Sequence, residues 1–268
     1  HVPVNKFICG SSDNEKLFVA DLINNLYFID ADADTILLSH SYNSFTDQLS
    51  TSVVYNETLD RVYWMLNSWQ GNNGTVINVY NGSTGAYITQ RFFNNQINDI
   101  VFNNNAVIIT SGNEIIKLNP QNLNTIKAYT GNPPVTHEKI FCLNNTEIAV
   151  VRYHYQNAQR SMIILDISDL TPLQGIYPPF GAFTINDLTV ENQYDSFILL
   201  VLGDEAYSDV YRYKINQNRV YSVTNHLSEY NVFSRRLSNI VNNSIFWSGR
   251  NSLINIDLQQ FAINFNNN

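Results

Sequence analysis

Residues 59–68 read LDRVYWMLNS. After the cation Arg61 come Val62, Tyr63, Trp64, Met65 and Leu66 without a polar break. An apolar run of this length with no alternation predicts a strand covered on both faces, with Trp64 as the wedge that fills the gap to a neighbouring layer. A β-prone run ending in a turn, TSVVYNET (51–58), precedes it, and INVYNGSTGAYIT (77–89) follows. Four short strands in about 45 residues is one small antiparallel sheet.

The unit recurs. LYFIDADADTILL (26–38), INVYNGSTGAYIT (77–89), IIKLNPQNLNTIK (115–127), IILDISDLTPLQG (163–175), YRYKINQNRVYSV (211–223) and LINIDLQQFAINF (253–265) share one plan: a strand, an Asp/Asn-bearing turn and a return strand. Aligning Asp30, Asn81, Asn119, Asp166, Asn216 and Asp257 gives steps between 38 and 51. Their mean, about 45, is the period of a four-stranded propeller blade. Another hairpin lies upstream of each unit. The expected fold is all-β: a single six-bladed β-propeller domain with four antiparallel strands per blade, the blades spanning 5–43, 47–93, 97–131, 137–178, 183–227 and 235–266. A β-sandwich does not explain a fixed period, whereas a blade needs neighbours to cover both of its faces.

Two stretches carry a family likeness. LDRVYW (59–64) resembles the YWTD blade of lipoprotein-receptor propellers, with Met65-Leu66 standing where that family has Thr-Asp. KLFVADLINNLYFID (16–30) is similar to the NHL/YVTN type of blade. Both resemblances imply a propeller that binds a ligand on one of its faces.

Composition narrows the function. Of 268 residues 44% are hydrophobic and 13% aromatic, enough for a core, while only 14% are charged. Asparagine fills much of the polar surface with 40 residues, and it favours turns. A net charge of −8 and a pI near 5.0 exclude a nucleic-acid or anionic-membrane surface, both of which need a basic footprint. No apolar run reaches the ~18–20 residues that span a bilayer. A chain beginning at His1 without Met reads as a processed or excised one. Five N-x-S/T sequons, at Asn56, Asn73, Asn81, Asn144 and Asn242, predict a secreted or cell-surface glycoprotein.

In the expected fold the first-to-second and third-to-fourth strand turns share one face. Asn56, Asn81, Asn144 and Asn242 fall there, and only Asn73 does not, so the opposite face is the open one. It carries the longer loops SWQGNNG (68–74), HYQNAQR (154–160) and GDEAYSD (203–209). Trp69, His154, Tyr155, Arg160, Asp204, Glu205 and Tyr207, with Arg236 at the channel mouth, are the candidate ligand contacts, aromatic rings among polar groups that suit a protein or glycan partner. At the same mouth Asp99, Glu138 and Asp187 are candidate ligands for calcium. That arrangement resembles calcium-dependent lactonase propellers, and Lys139, Arg235 and Arg236 lie among the carboxylates. His137 beside Glu138 is a candidate base. Cys9 and Cys142 align on innermost strands of opposite blades, too far apart to bond, and are expected as free, buried thiols. No G-x-S-x-G, H-E-x-x-H, phosphate loop or C-x-x-C occurs. A binding or adhesion module without catalytic residues is therefore the leading expectation. A lactonase-like hydrolase and a self-assembling structural unit are the alternatives.

Overall fold

In the computed structural model the described residues are 6–11, 13, 15–21, 23–42, 48–68, 74–103, 106–132, 135–177, 184–192, 196–202, 208–217, 219–222, 236–237, 244–248 and 253–257. They are all-β apart from one short 3-10 turn, Ile215–Gln217. The first sheet runs β1 (Lys6–Gly10), β2 (Lys16–Asp21), β3 (Asn25–Asp30), β4 (Thr35–Ser41). The second runs β5 (Gln48–Asn56), β6 (Arg61–Ser68), β7 (Thr75–Asn81), β8 (Tyr87–Phe93). The third runs β9 (Asp99–Asn103), β10 (Ala106–Ser111), β11 (Glu114–Leu118), β12 (Thr125–Thr130). Then come β13 (Val135–Cys142), β14 (Glu147–His154), β15 (Gln159–Asp166), β16 (Pro172–Ile176), and β17 (Thr184–Asn192), β18 (Ser196–Leu202), β19 (Ser208–Lys214), β20 (Arg219–Ser222). The last sheet has three described strands, β21 (Arg236–Leu237), β22 (Ser244–Ser248) and β23 (Leu253–Asp257). Four were expected there, and the return strand after Asp257 lies outside the described residues. No ladder joins the first and last sheets among the described residues. By packing, the chain divides into two compact units, His1–Thr146 with Asp166–Thr171, and Glu147–Leu165 with Pro172–Asn268.

The repeating turn has a physical basis. Asn81, Asn119 and Asp166 each start a five-residue turn in which the N–H of residue i+4 donates to the carbonyl of residue i, at 2.9, 2.8 and 2.8 Å. Their side-chain Oδ1 accepts from the chain two or three residues on: Thr84 N at 2.7 Å, Gln121 N at 2.8 Å, Ser168 N at 2.6 Å. Only Asp and Asn hold this geometry so cheaply. Residue i+4 is left-handed in the first four sheets: Asp34 (φ 51), Gly85 (66), Leu123 (60) and Leu170 (59). A register shift follows in each, as between Val79 and Tyr80.

Within the first unit β6 is packed on both faces. Side chains alternate along β6. Val62, Trp64 and Leu66 join Phe18, Leu26 and Phe28 of the first sheet, while Tyr63 and Met65 join Ile100, Val107 and Ile109 of the third and Ile97 just before it. All five are fully buried, each worth roughly 1.5–3 kcal/mol. Trp64 Nε1 donates to Ser50 Oγ at 3.1 Å. The outermost strands differ: β4, β8 and β12 are largely exposed.

Cations tie one sheet to the next. Arg61 Nη1 donates to the Pro120 and Gln121 carbonyls (3.0 and 2.7 Å), and Tyr63 Oη to the same Pro120 carbonyl (2.7 Å). Lys117 Nζ donates to the carbonyls of Ile167 (2.8 Å) and Ser168 (3.0 Å). Lys16 Nζ reaches Ser83 Oγ (2.8 Å) and Asp60 (3.5 Å). Asparagines do the same nearer the first strands: Asn67 Nδ2 donates to the Ile97 carbonyl and Asn98 Nδ2 to that of His137, at 2.9 and 2.7 Å. The Pro120 carbonyl, on a buried residue, would otherwise lose its partners on folding. In the second unit, Arg212 on β19 forks onto Glu191 on β17 (2.5 and 2.8 Å), and Ser196 Oγ on β18 donates to the same carboxylate at 2.8 Å.

Candidate ligand-binding hairpin

The hairpin β14–β15 of the second unit carries three of the expected contacts, His154, Tyr155 and Arg160. The loop expected over 154–160 is shorter than it reads. His154 ends one strand, Gln159 begins the next, and 155–158 form a tight turn closed by Ala158 at φ 53. Because neighbours on a strand point to opposite faces, the three do not share a surface.

On one face Arg152 and His154 meet at Ser161, which is fully buried. Arg152 Nε donates to Ser161 Oγ at 3.2 Å, and that hydroxyl shares a 2.7 Å hydrogen bond with His154 Nε2. The Tyr177 ring stands 6.4 Å from the imidazole at 34° and is 62% exposed. Burial, then the neighbouring Arg152, holds the His154 pKa below its ordinary value. The imidazole is then neutral near pH 7, and its tautomer sets which partner donates in the bond to Ser161. A buried hydroxyl cannot meet a substrate, so Ser161 acts by positioning both side chains. On the opposite face the Arg160 guanidinium lies 4.9 Å over the Tyr153 ring, which meets Tyr155 edge-on at 5.1 Å. Tyr155 is 61% exposed.

Arg152, Tyr153, Ser161 and Tyr177 were missed by sequence reasoning, since all four read as strand or strand end. The i, i+2 spacing of Arg152 and His154 was the available signal. Trp69, Asn73, Asp204, Glu205, Tyr207, Arg235 and Asn242 lie outside the described residues. Arg236 is described only in its backbone, paired with Ser248.

Among the described residues no group of three His, Cys, Asp or Glu side chains could hold a metal ion. Asp99 starts β9, but Glu138 and Asp187 lie inside β13 and β17 and not at strand starts. The Asp99 carboxylate accepts from Ile140 N (3.1 Å) and Ile100 N (3.0 Å), and that of Asp187 from Leu188 N (2.9 Å), so both already serve the backbone. His137, the candidate base, is buried, its ring 6.1 Å from that of Tyr129.

Of the sequons, Asn144 is exposed, with Oδ1 accepting from Thr146 N at 2.6 Å and Thr146 Oγ1 at 2.9 Å. Asn81 is half-buried in its turn. Asn56 is fully buried and accepts from Leu59 N at 3.1 Å, which leaves a glycan no way out. The cysteines are both free; Cys9 is half-buried, and Cys142 is exposed as a residue while its sulfur is desolvated. Its Sγ–H donates to the Phe102 carbonyl (3.4 Å), and burial around the sulfur pushes the pKa up to about 12. Burial also raises Cys9.

No family model matches the chain, and no curated protein matches it. Solved structures do. The C-terminal WD40 domain of Sif2 is 12% identical over 92% of this chain and 67% of its own, with a TM-score of 0.60. Hydrazine synthase of Kuenenia stuttgartiensis covers 100% of this chain and 80% of its own at 10% identity and TM-score 0.75. U3-55K covers 91% and 74% at 10% identity and TM-score 0.61. WD40 repeats build β-propellers, so the repeated four-stranded antiparallel sheets belong to a propeller fold. At this identity the likeness concerns fold alone.

Proposed function

We propose that the chain is a secreted or cell-surface binding module, a six-bladed propeller with YWTD- and NHL-type blades that takes a protein or glycan ligand on hairpin turns between the second and third strands of its sheets. The observation that carries this reading is the β14–β15 tip, where Tyr155 and Tyr177 stand exposed beside Arg152, His154 and Arg160. Rigid aromatic rings beside positioned polar groups supply contact area at low entropic cost. The exposed turn of Asn144, with its Thr146 hydroxyl bond, supports the glycoprotein part of the reading. The WD40 likeness supports a scaffold that presents loops.

The test applies the labelled chain to a glycan array and to cultured cells, with a Tyr155→Ala/Tyr177→Ala variant alongside. Saturable binding that this variant weakens about tenfold or more, at unchanged circular dichroism, is expected. Absence of saturable binding to both surfaces, or binding the variant leaves intact, overturns the reading.

A further inference from the structure

The Arg152 face of the hairpin has a chemistry the other face lacks. Arg160 spends its guanidinium on the Tyr153 ring, whereas Arg152 is held at Nε, the inner corner of its fork, by a buried hydroxyl. Fixing Nε orients the plane of the group and directs the outer edge of the fork elsewhere. Among the described residues no carboxylate lies in ion-pair range of Arg152. Arg61 and Lys117 also lack a carboxylate but are taken up by backbone carbonyls, whereas among the described residues Arg152 is bonded at Nε alone, the arrangement of a cation whose outer fork is open to an anion. His154 converges on the same hydroxyl, and Tyr177 sets an exposed flat ring beside it, inclined 34° to the imidazole. The two rings form a ledge next to the guanidinium.

We propose that Arg152, His154 and Tyr177, gathered around the buried Ser161 hydroxyl, form a receptor for a saccharide bearing one acidic group, its carboxylate or sulfate on Arg152 and its ring face on Tyr177. This rests on the binding-module reading and narrows it to one ligand class. A planar fork pairs bidentately with either anion, and the C–H face of a pyranose matches an exposed tyrosine. The excess negative charge of the whole molecule is screened within about 8 Å at physiological salt, so the local cation governs a small ligand.

The experiment titrates the full chain with 3′-sialyllactose, 3′-sulfated lactose, lactose and phosphotyrosine by calorimetry. Both acidic sugars should bind at least about tenfold more tightly than lactose, the two arms separating carboxylate from sulfate. Arg152→Gln should erase that preference, Tyr177→Ala should weaken all three, and Lys127→Gln, a cation on β12, should change none. On the unaltered chain 0.5 M NaCl, about three times the physiological salt level, should shrink the preference, which keeps the test open if a variant misfolds. Equal binding of lactose, a preference that survives Arg152→Gln, or tighter binding of phosphotyrosine than of either sugar overturns the inference while array and cell binding stand. Failure on array and cells as well removes the binding-module reading too.

Discussion

At the residue scale, asparagine and aspartate do two jobs. Asn81, Asn119 and Asp166 close turns through their own side chains, while Asn67 and Asn98 reach carbonyls on other segments. The left-handed residue four places after each turn start shows how local strain and burial compete. Asp34 is exposed and Leu123 is fully buried, yet their φ values are 51° and 60°. A left-handed non-glycine residue costs roughly 1–2 kcal/mol. Asp34→Gly relieves that cost and loses no packing, so it should raise the midpoint of thermal unfolding by calorimetry, with a gain of about 0.5–1 kcal/mol. Leu123→Gly relieves the same strain but empties a site among Tyr63, Ile97 and Leu118, and should lose about 2–3 kcal/mol. If both variants move together, backbone strain does not set the balance.

At the element scale, β6 was legible because hydrophobicity without alternation has one reading, coverage on both faces. The structure shows two separate cores on either side of it. Arg61 was not legible: the carbonyls it serves lie 59 and 60 residues away, and no local pattern encodes a partner at that distance. Arg61→Met keeps the stem and removes both donors, leaving the Pro120 carbonyl to Tyr63 alone. It should destabilise the chain by about 1.5–3 kcal/mol in denaturant titration, and Tyr63→Phe in addition should cost more than either change by itself. The hairpin at 154–160 misled because His, Gln and Arg read as loop, although strand pairing continues to His154. Arg152 and Ser161 escaped notice for the converse reason: they lie in strands, and their meeting depends on pairing that is invisible in one dimension. The backbone N–H groups that Asp99 and Asp187 accept were not legible either, because a carboxylate that caps the chain has the same letter as one that holds an ion.

At the scale of the whole molecule, recurrence carried the propeller expectation. The aligned Asp30, Asn81, Asp166 and Asp257 each end the third strand of a sheet, and Asn119 directly follows one. Acid response should come in two stages. His154 has a lowered pKa when folded, so its contribution is complete above its unfolded value of about 6.5 and is lost as pH falls through the lower folded one. At Asp60, burial pushes the pKa upward, but bonds from Ser83 and Tyr55 prevail and hold it below the usual carboxylate value. Its contribution is present above about pH 4 and disappears at lower pH. Melting temperature against pH should therefore show a shallow step below pH 6.5 that His154→Asn removes, and a second step below pH 4 that it leaves. The cation ties described above also have a polarity. Lys16 reaches forward to Asp60 and Ser83, Arg61 to Pro120 and Gln121, and Lys117 to Ile167 and Ser168. During translation, each of these side chains leaves the ribosome before its acceptor has been made. Each of these three sheets thus waits, solvated and unfinished, for the following segment to complete it.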